Sequence, residues 1–437
     1  MSAPTLPFLV AAGSPEYERA TSPRNAAATQ RPAWIAVPDS IEDLALTVSF
    51  CAHRGLTAVP QATGHGAGGT IDDRFLLVDT SRMSWITVDD SGVATAGAGT
   101  QWGTVDREAW TSARLGLAGS APDVGIAGLT FGGGAGWLTR PHGLPSDSLV
   151  AADYVDGAGR ARRASEDAAD PVDREAIYAF RGGGVGLAAS LTFHLVRVEN
   201  LQAGFLLWPV EHLEAVVAAW SAAMDSIGPG PNTSVGVLTA PKSPLVPASM
   251  PGRRVLHLTV VLATGDLDDE PLWQALDTVA PPTANTWGPA DVERLGTIHL
   301  DPPVAVPAVG TARWLDASTP TVVNEVLRAA ADSPLEMAEV RNVANDAHVL
   351  EGAVTRPLGA FMLHAVGGTD DPQARDEALA RVREAAAPAD TGLSIGSWVD
   401  GSGSVPDALP GDVRARFAAA RAAVDPDGVI AAARFLA

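Results

Sequence analysis

Apolar residues follow one another along this chain in two rhythms. Short runs rich in Val, Ile, Leu and Ala, bounded by Gly, Pro or Asp, predict strands over 31–38, 56–60, 75–79, 86–89, 93–99, 148–156 and 191–198. More follow at 255–262, 336–340 and 361–366. Apolar positions spaced by three and four predict helices over 41–51, capped by Asp39-Ser40, and over 104–115, 173–180, 211–227 and 271–279. Further helices are expected at 320–331, 372–387 and 413–424, with a short one near 16–19. Strand, helix, strand and then a glycine turn describe a βαβ unit, whose loop lies at the carboxyl edge of its sheet, the usual ligand position. From about Leu201 helices are punctuated by antiparallel-type strands, so the class is α+β.

Glycine clusters break the pattern. The first is Ala62-Thr63-Gly64-His65-Gly66-Ala67; the second runs from Gly119-Ser120-Ala121 through Val124-Gly125, Gly128-Leu129 and Gly132-Gly133-Gly134 to Gly136. A third is Arg181-Gly182-Gly183-Gly184. Without a Cβ such backbone can press against a ligand, and its consecutive N–H groups form nests for a diphosphate. A nicotinamide-type fingerprint fails on context. The residues after Gly136, Trp-Leu-Thr-Arg-Pro-His-Gly, cannot continue as a helix, and Gly182-x-Gly184 leads into a β-like run. His65 has no companions at ligand spacing, so no metal site is expected, and no serine elbow is present.

Composition narrows the classes. A chain of 437 residues with 46% hydrophobic positions should form two domains with large cores. A formal charge of −21 argues against nucleic acid and anionic membrane surfaces as partners. The sole lysine, Lys242, lies in Pro-Lys-Ser-Pro, which excludes a phosphate-loop nucleotidase and disfavours pyridoxal chemistry. The sole cysteine, Cys51, excludes an intrachain disulfide and reads as a core thiol. No apolar run is long enough to span a membrane and the first residues lack a signal-peptide pattern, so a cytoplasmic protein is expected.

In combination these loops resemble the FAD-binding domain of the vanillyl-alcohol oxidase and p-cresol methylhydroxylase superfamily. Within it they look most like the berberine-bridge-enzyme-like and 6-hydroxynicotine-oxidase-like oxidases. Tyr154-Val155-Asp156-Gly157-Ala158-Gly159 and Val424-Asp425-Pro426-Asp427-Gly428 add to the likeness. The resemblance implies a FAD-binding domain at 1–198, a substrate domain at 199–410 and a segment at 411–437 returning to the first. It also implies that the loop 62–67 wraps the FAD diphosphate and that His65 is joined to the flavin 8α-methyl group. The position of a second, cysteinyl link holds Ala121, so any linkage is single. A small residue at Val124, where the family admits oxygen, implies an oxidase in preference to a dehydrogenase.

The implied reaction oxidises an alcohol, amine or similar C–H group of a small molecule by hydride transfer to flavin N5, with oxygen as acceptor. Two other readings are a redox-neutral cyclase or isomerase and a non-catalytic ligand-binding flavoprotein. Candidate bases are Glu339, Arg341, His257 and His364, of which Glu339 and Arg341 share a face if their run is a strand. Tyrosine occurs only at Tyr17, Tyr154 and Tyr178, so the tyrosine base of many relatives is missing from the second half.

Overall fold

The computed structural model describes residues 6–263, 271–345, 350–401, 404–431 and 434. Three sheets organise them. The first has strand order Leu9–Val10, Trp34–Ala36, Phe75–Asp79, Thr57–Gln61, and both Trp34–Ala36 and Thr57–Gln61 run parallel to Phe75–Asp79. The expected βαβ unit is present, with the later strand inserted between its two. Its helix, Ile41–Arg54, starts where the Ser40 hydroxyl accepts the Asp43 N–H at 3.2 Å and stops at Gly55, left-handed at φ 65°. Leu44, Val48 and Cys51, spaced by four and three, are wholly buried on its inner face. Burial pushes the Cys51 thiol up to about 12, as suits a core residue.

The second sheet is antiparallel, in the order Ala161–Ser165, Leu149–Val155, Leu187–His194, Val93–Gly97, Ile86–Val88. The third is a broad antiparallel sheet through Gln202–Pro209, Arg254–Leu262, Asn232–Thr239, Met337–Asn342, Phe361–Gly367, Val309–Leu315 and Asp390–Ser394. Side chains alternate across it. Leu206, Val235, Leu258, Val340 and Leu363 pack under the helices Leu213–Met224, Val323–Ala331 and Pro372–Ala386. The other face looks back toward the glycine loops. The α+β class read from the sequence is the class observed.

Several boundaries differ from expectation. The helix expected at 104–115 is Trp102–Trp110; Ala113 turns left-handed at φ 53°, and Arg114–Leu115 pairs with Val196–Arg197 as a small ladder. That ladder also splits the run 191–198 into two strands. The stretch after Gly136, judged unable to be helical, makes one helical turn at Thr139–His142, ended by Gly143 at φ 93°. The strands Gln202–Pro209, Asn232–Thr239, Val309–Leu315 and Asp390–Ser394 were not foreseen. Asn232–Thr239 is buried along nearly its whole length, so it lacks the alternation that marks a half-exposed strand.

The terminal segment closes on the first sheet. Helix Gly411–Val424 lies against Pro171–Phe180, and Gly183 leaves room for the Phe417 ring. The Asp425 carboxylate then accepts the N–H groups of Val429 at 3.0 Å and Ile430 at 2.8 Å. This turn aims the chain along Thr57–Gln61, where Ala58 donates to the Val429 carbonyl and accepts from Ala431. Of the expected segment 411–437, residues 432–433 and 435–437 lie outside the described residues. No described helix is long and apolar enough to cross a membrane.

Candidate active site

Strand Thr57–Gln61 hands the chain to Ala62-Thr63-Gly64-His65-Gly66-Ala67. Gly64 is left-handed at φ 73°, and a Cβ there would sit 2.4 Å from Pro23 Cβ, so the turn requires glycine. A Cβ on Gly125 would lie 2.8 Å from Ala62, so the first and second loops abut. From Gly119 the second loop passes Ser120, Ala121 and Val124, enters the short helix Ile126–Phe131 through Gly128 and Leu129, and leaves it at Gly132. Gly133 and Gly134 follow at φ 83° and 73°, and Gly136 is pressed against the Ala118 carbonyl. Gly66 and Gly128, by contrast, face open space. A cleft of about 510 Å³ opens between the loops, lined by Ala62, Thr63, His65, Gly99, Gln101 and Asp123. The open backbone at Gly66 and Gly128 suits close contact with a phosphate-bearing cofactor.

His65 is held at both ring nitrogens. Nδ1 lies 2.8 Å from the Thr63 hydroxyl and Nε2 lies 3.3 Å from Asp123 Oδ1. Arg24 Nε donates to the other Asp123 oxygen at 3.0 Å. Burial pushes the Asp123 carboxyl up, but the hydrogen bond and charge of His65 and those of Arg24 outweigh it and hold the group well below the usual carboxylate range.

The four residues singled out on the second-half strands converge. Register pairs His257 with Gly236, Gly236 with Glu339 and Glu339 with His364, a line across four strands, with Arg341 one rung further. All four are buried. Arg341 Nη2 donates to Glu339 Oε1 at 2.8 Å and to the Ser120 hydroxyl of the second glycine loop at 3.0 Å. Its guanidinium lies over Trp137 and Trp398, 4.0 and 5.2 Å from the ring centres. Sheet row and glycine loop therefore border one site.

Two groups that the sequence reading missed complete it. His299 Nε2 lies 3.3 Å from Glu339 Oε1, and its Nδ1 lies 2.8 Å from Asp301 Oδ1. Burial pulls the imidazole down, but the Asp301 and Glu339 carboxylates raise it to about 10, so it is cationic at neutral pH. Burial pushes Glu339 up, yet the charges of Arg341 and His299 keep it well below the usual range. Charges thus alternate from Asp301 through His299 and Glu339 to Arg341. His257 differs: burial and the His299 charge bring it down to about 4, and its Nε2 lies 2.9 Å from the Ile298 carbonyl. His364 Nε2 lies 2.9 Å from Asp400 Oδ2.

Glu339 Oε2, Arg341 Nε and Nη1, and His364 Nδ1 are buried without a hydrogen-bond partner. Orphaned polar atoms grouped on one face await a ligand or ordered water. His299 and Asp301 flank Leu300, held at φ 64° in an irregular segment that leaves no periodic signal in the sequence. Asp123 did carry a signal: a carboxylate within an expected anion cradle needs its own cationic partner. Ala121 and Asp123 border a second cavity of about 1320 Å³, shared with Phe205, Trp287 and Asp301. The Val124 carbonyl accepts from Trp102 N–H, and its side chain packs beside the core that includes Trp102.

Comparison with known proteins fits this geometry. Residues 32–165 match the family model described as FAD binding domain. The chain carries a FAD-binding domain. Over 163 residues it is 34% identical to glucooligosaccharide oxidase of Sarocladium strictum, covering 36% of this chain and 32% of that one. Over 187 residues it is 33% identical to (R)-6-hydroxynicotine oxidase of Paenarthrobacter nicotinovorans, covering 41% and 39%. The chain thus matches under half the length of these curated relatives. The fold extends further. The crystal structure of 6-hydroxy-D-nicotine oxidase from Arthrobacter nicotinovorans superimposes with a TM-score of 0.82 at 19% identity, covering 98% of both chains. The Physcomitrella patens BBE-like 1 structure gives 0.83 at 17%, covering 98% and 97%. Beyond the FAD-binding domain the chain therefore also shares the fold of these two structures.

Proposed function

We propose that this protein is a FAD-dependent oxidoreductase acting as an oxidase on an alcohol, amine or similar C–H group of a small organic molecule. In this reading residues 1–198 and 411–437 hold the cofactor, and 199–410 shape the substrate pocket. The observation that carries it is the set of partnerless polar atoms of Glu339, Arg341 and His364, tied through Ser120 to the glycine loop that borders His65.

Residues 62–67 and 119–136 would hold FAD through backbone N–H groups, with His65 as its single covalent anchor, since Ala121 offers no thiol. Bound FAD would supply a two-electron acceptor for the substrate hydride, with oxygen as final acceptor giving hydrogen peroxide. The protein's own part is orientation and charge. Glu339 Oε2 has free lone pairs to accept from a substrate hydroxyl or amine, and Arg341 Nη1 can donate to a substrate oxygen. Cationic His299 keeps Glu339 ionised from behind, so that the carboxylate can accept from and orient the substrate group. The small side chain at Val124 would favour oxygen as the acceptor, as the family resemblance implies.

The test is a panel of alcohols and amines, read first as anaerobic bleaching of the yellow protein and then as peroxide release in air. Bleaching with peroxide supports an oxidase. Bleaching that persists in air points to a dehydrogenase, and product formed without net peroxide points to redox-neutral chemistry. A colourless preparation that takes up no FAD would overturn the reading.

A further inference from the structure

The surroundings of His65 settle which of its nitrogens carries hydrogen. An ionised carboxylate only accepts, so the ring atom facing Asp123, Nε2, is the N–H. In the neutral ring Nδ1 then holds the lone pair, and the Thr63 hydroxyl donates to it. Arg24 keeps Asp123 from turning away, and is itself anchored on the Val304 and Pro302 carbonyls. Thr63 and Asp123 hold the imidazole directly, and Arg24 acts on it through Asp123.

We propose that Asp123 is the positioning residue for flavin attachment, fixing His65 as the Nε2–H tautomer so that Nδ1 can bond the 8α carbon of the ring. The inference rests on the reading above that His65 carries FAD. In the attachment a methyl C–H bond at position 8α breaks and an Nδ1–C bond forms. One hydrogen leaves the methyl group and one leaves the imidazole; their two electrons reduce the ring. Molecular oxygen then takes those electrons and two protons as hydrogen peroxide. While the new bond forms the imidazole becomes cationic, and the carboxylate 3.3 Å from Nε2 stabilises that charge before the proton passes to solvent through the cleft.

The experiment uses the full chain and FAD alone, and needs no substrate. Wild type, Asp123→Ala and Asp123→Asn are incubated with FAD in air. The flavin remaining with acid-precipitated protein is followed over time, beside the FAD held before precipitation. Asp123→Ala should bind FAD but attach it more slowly by roughly tenfold to a hundredfold, the usual weight of a charge-assisted hydrogen bond. Asp123→Asn, which keeps an acceptor oxygen and the side-chain size, should fall between. Attachment at the wild-type rate in both variants overturns the proposal. So does loss of FAD binding in both folded variants, since Asp123 would then serve the cradle. A colourless pellet from the wild type refutes the His65 linkage itself, separately from any effect of the variants.

Discussion

Glu339 shows how much one buried carboxylate can carry. It faces both Arg341 and His299, so Glu339→Ala leaves the buried Arg341 without a counter-charge and His299 with Asp301 alone. The expected loss is about 3–5 kcal/mol, and Glu339→Gln, which retains a hydrogen-bonding oxygen, should lose less; urea midpoints of the two variants check this. His299 adds a pH dependence. Its folded pKa is raised from 6.5 to about 10, so the folded state binds the extra proton across that interval. Its contribution is complete below 6.5 and falls as pH rises toward 10, by at most about 1.4 kcal/mol per pH unit. Glu339 and Asp301 are shifted downward, so their contributions are present above the ordinary carboxylate range and fade as pH drops. His299→Gln should therefore flatten the decline in urea stability between pH 7 and 10. An unchanged slope would mean that the imidazole is not held as a cation. At this scale the sequence exposed Glu339, Arg341, His257 and His364 because alternation on a strand puts like-facing residues two apart. It hid His299 and Asp301 because they come from an irregular segment, whose position depends on packing against the sheet.

Among the elements, the glycine loops tie local conformation to the proposed cofactor cradle. Gly134 is left-handed at φ 73°, and a Cβ would stand 2.4 Å from Pro145 Cγ. Gly134→Ala should cost about 1–2 kcal/mol from backbone handedness alone, with further loss from the collision. FAD occupancy of the purified variant should fall, and occupancy at the wild-type level with an unchanged melting temperature would count against the cradle. These loops were legible because glycine's role there is local. Helix Ile41–Arg54 was equally legible from its Ser40 cap and spaced apolar face. The strands Gln202–Pro209 and Asn232–Thr239 were not, since being covered on both faces removes the alternation that marks a strand. Their hydrophobic runs carry Gly204 and Gly236 where neighbouring chain comes close, and in a bare sequence such glycines read as turns.

For the molecule as a whole, the terminal turn joins distant parts of the chain. Asp425 accepts two buried N–H groups and so aims residues 429–431 along Thr57–Gln61. Asp425→Ala would leave both donors unpaired, at about 1–3 kcal/mol each, and should lower the melting temperature and loosen FAD, seen as flavin lost on gel filtration. Full flavin retention with unaltered melting would show that the turn is not needed to close the sheet. The arrangement also has a consequence for biosynthesis. Strand Thr57–Gln61 leaves the ribosome early, whereas the neighbour that seals its edge is translated only after the entire broad sheet. A nascent chain stalled before residue 411 would still have that edge open, so the first sheet is completed only after the broad sheet has been made.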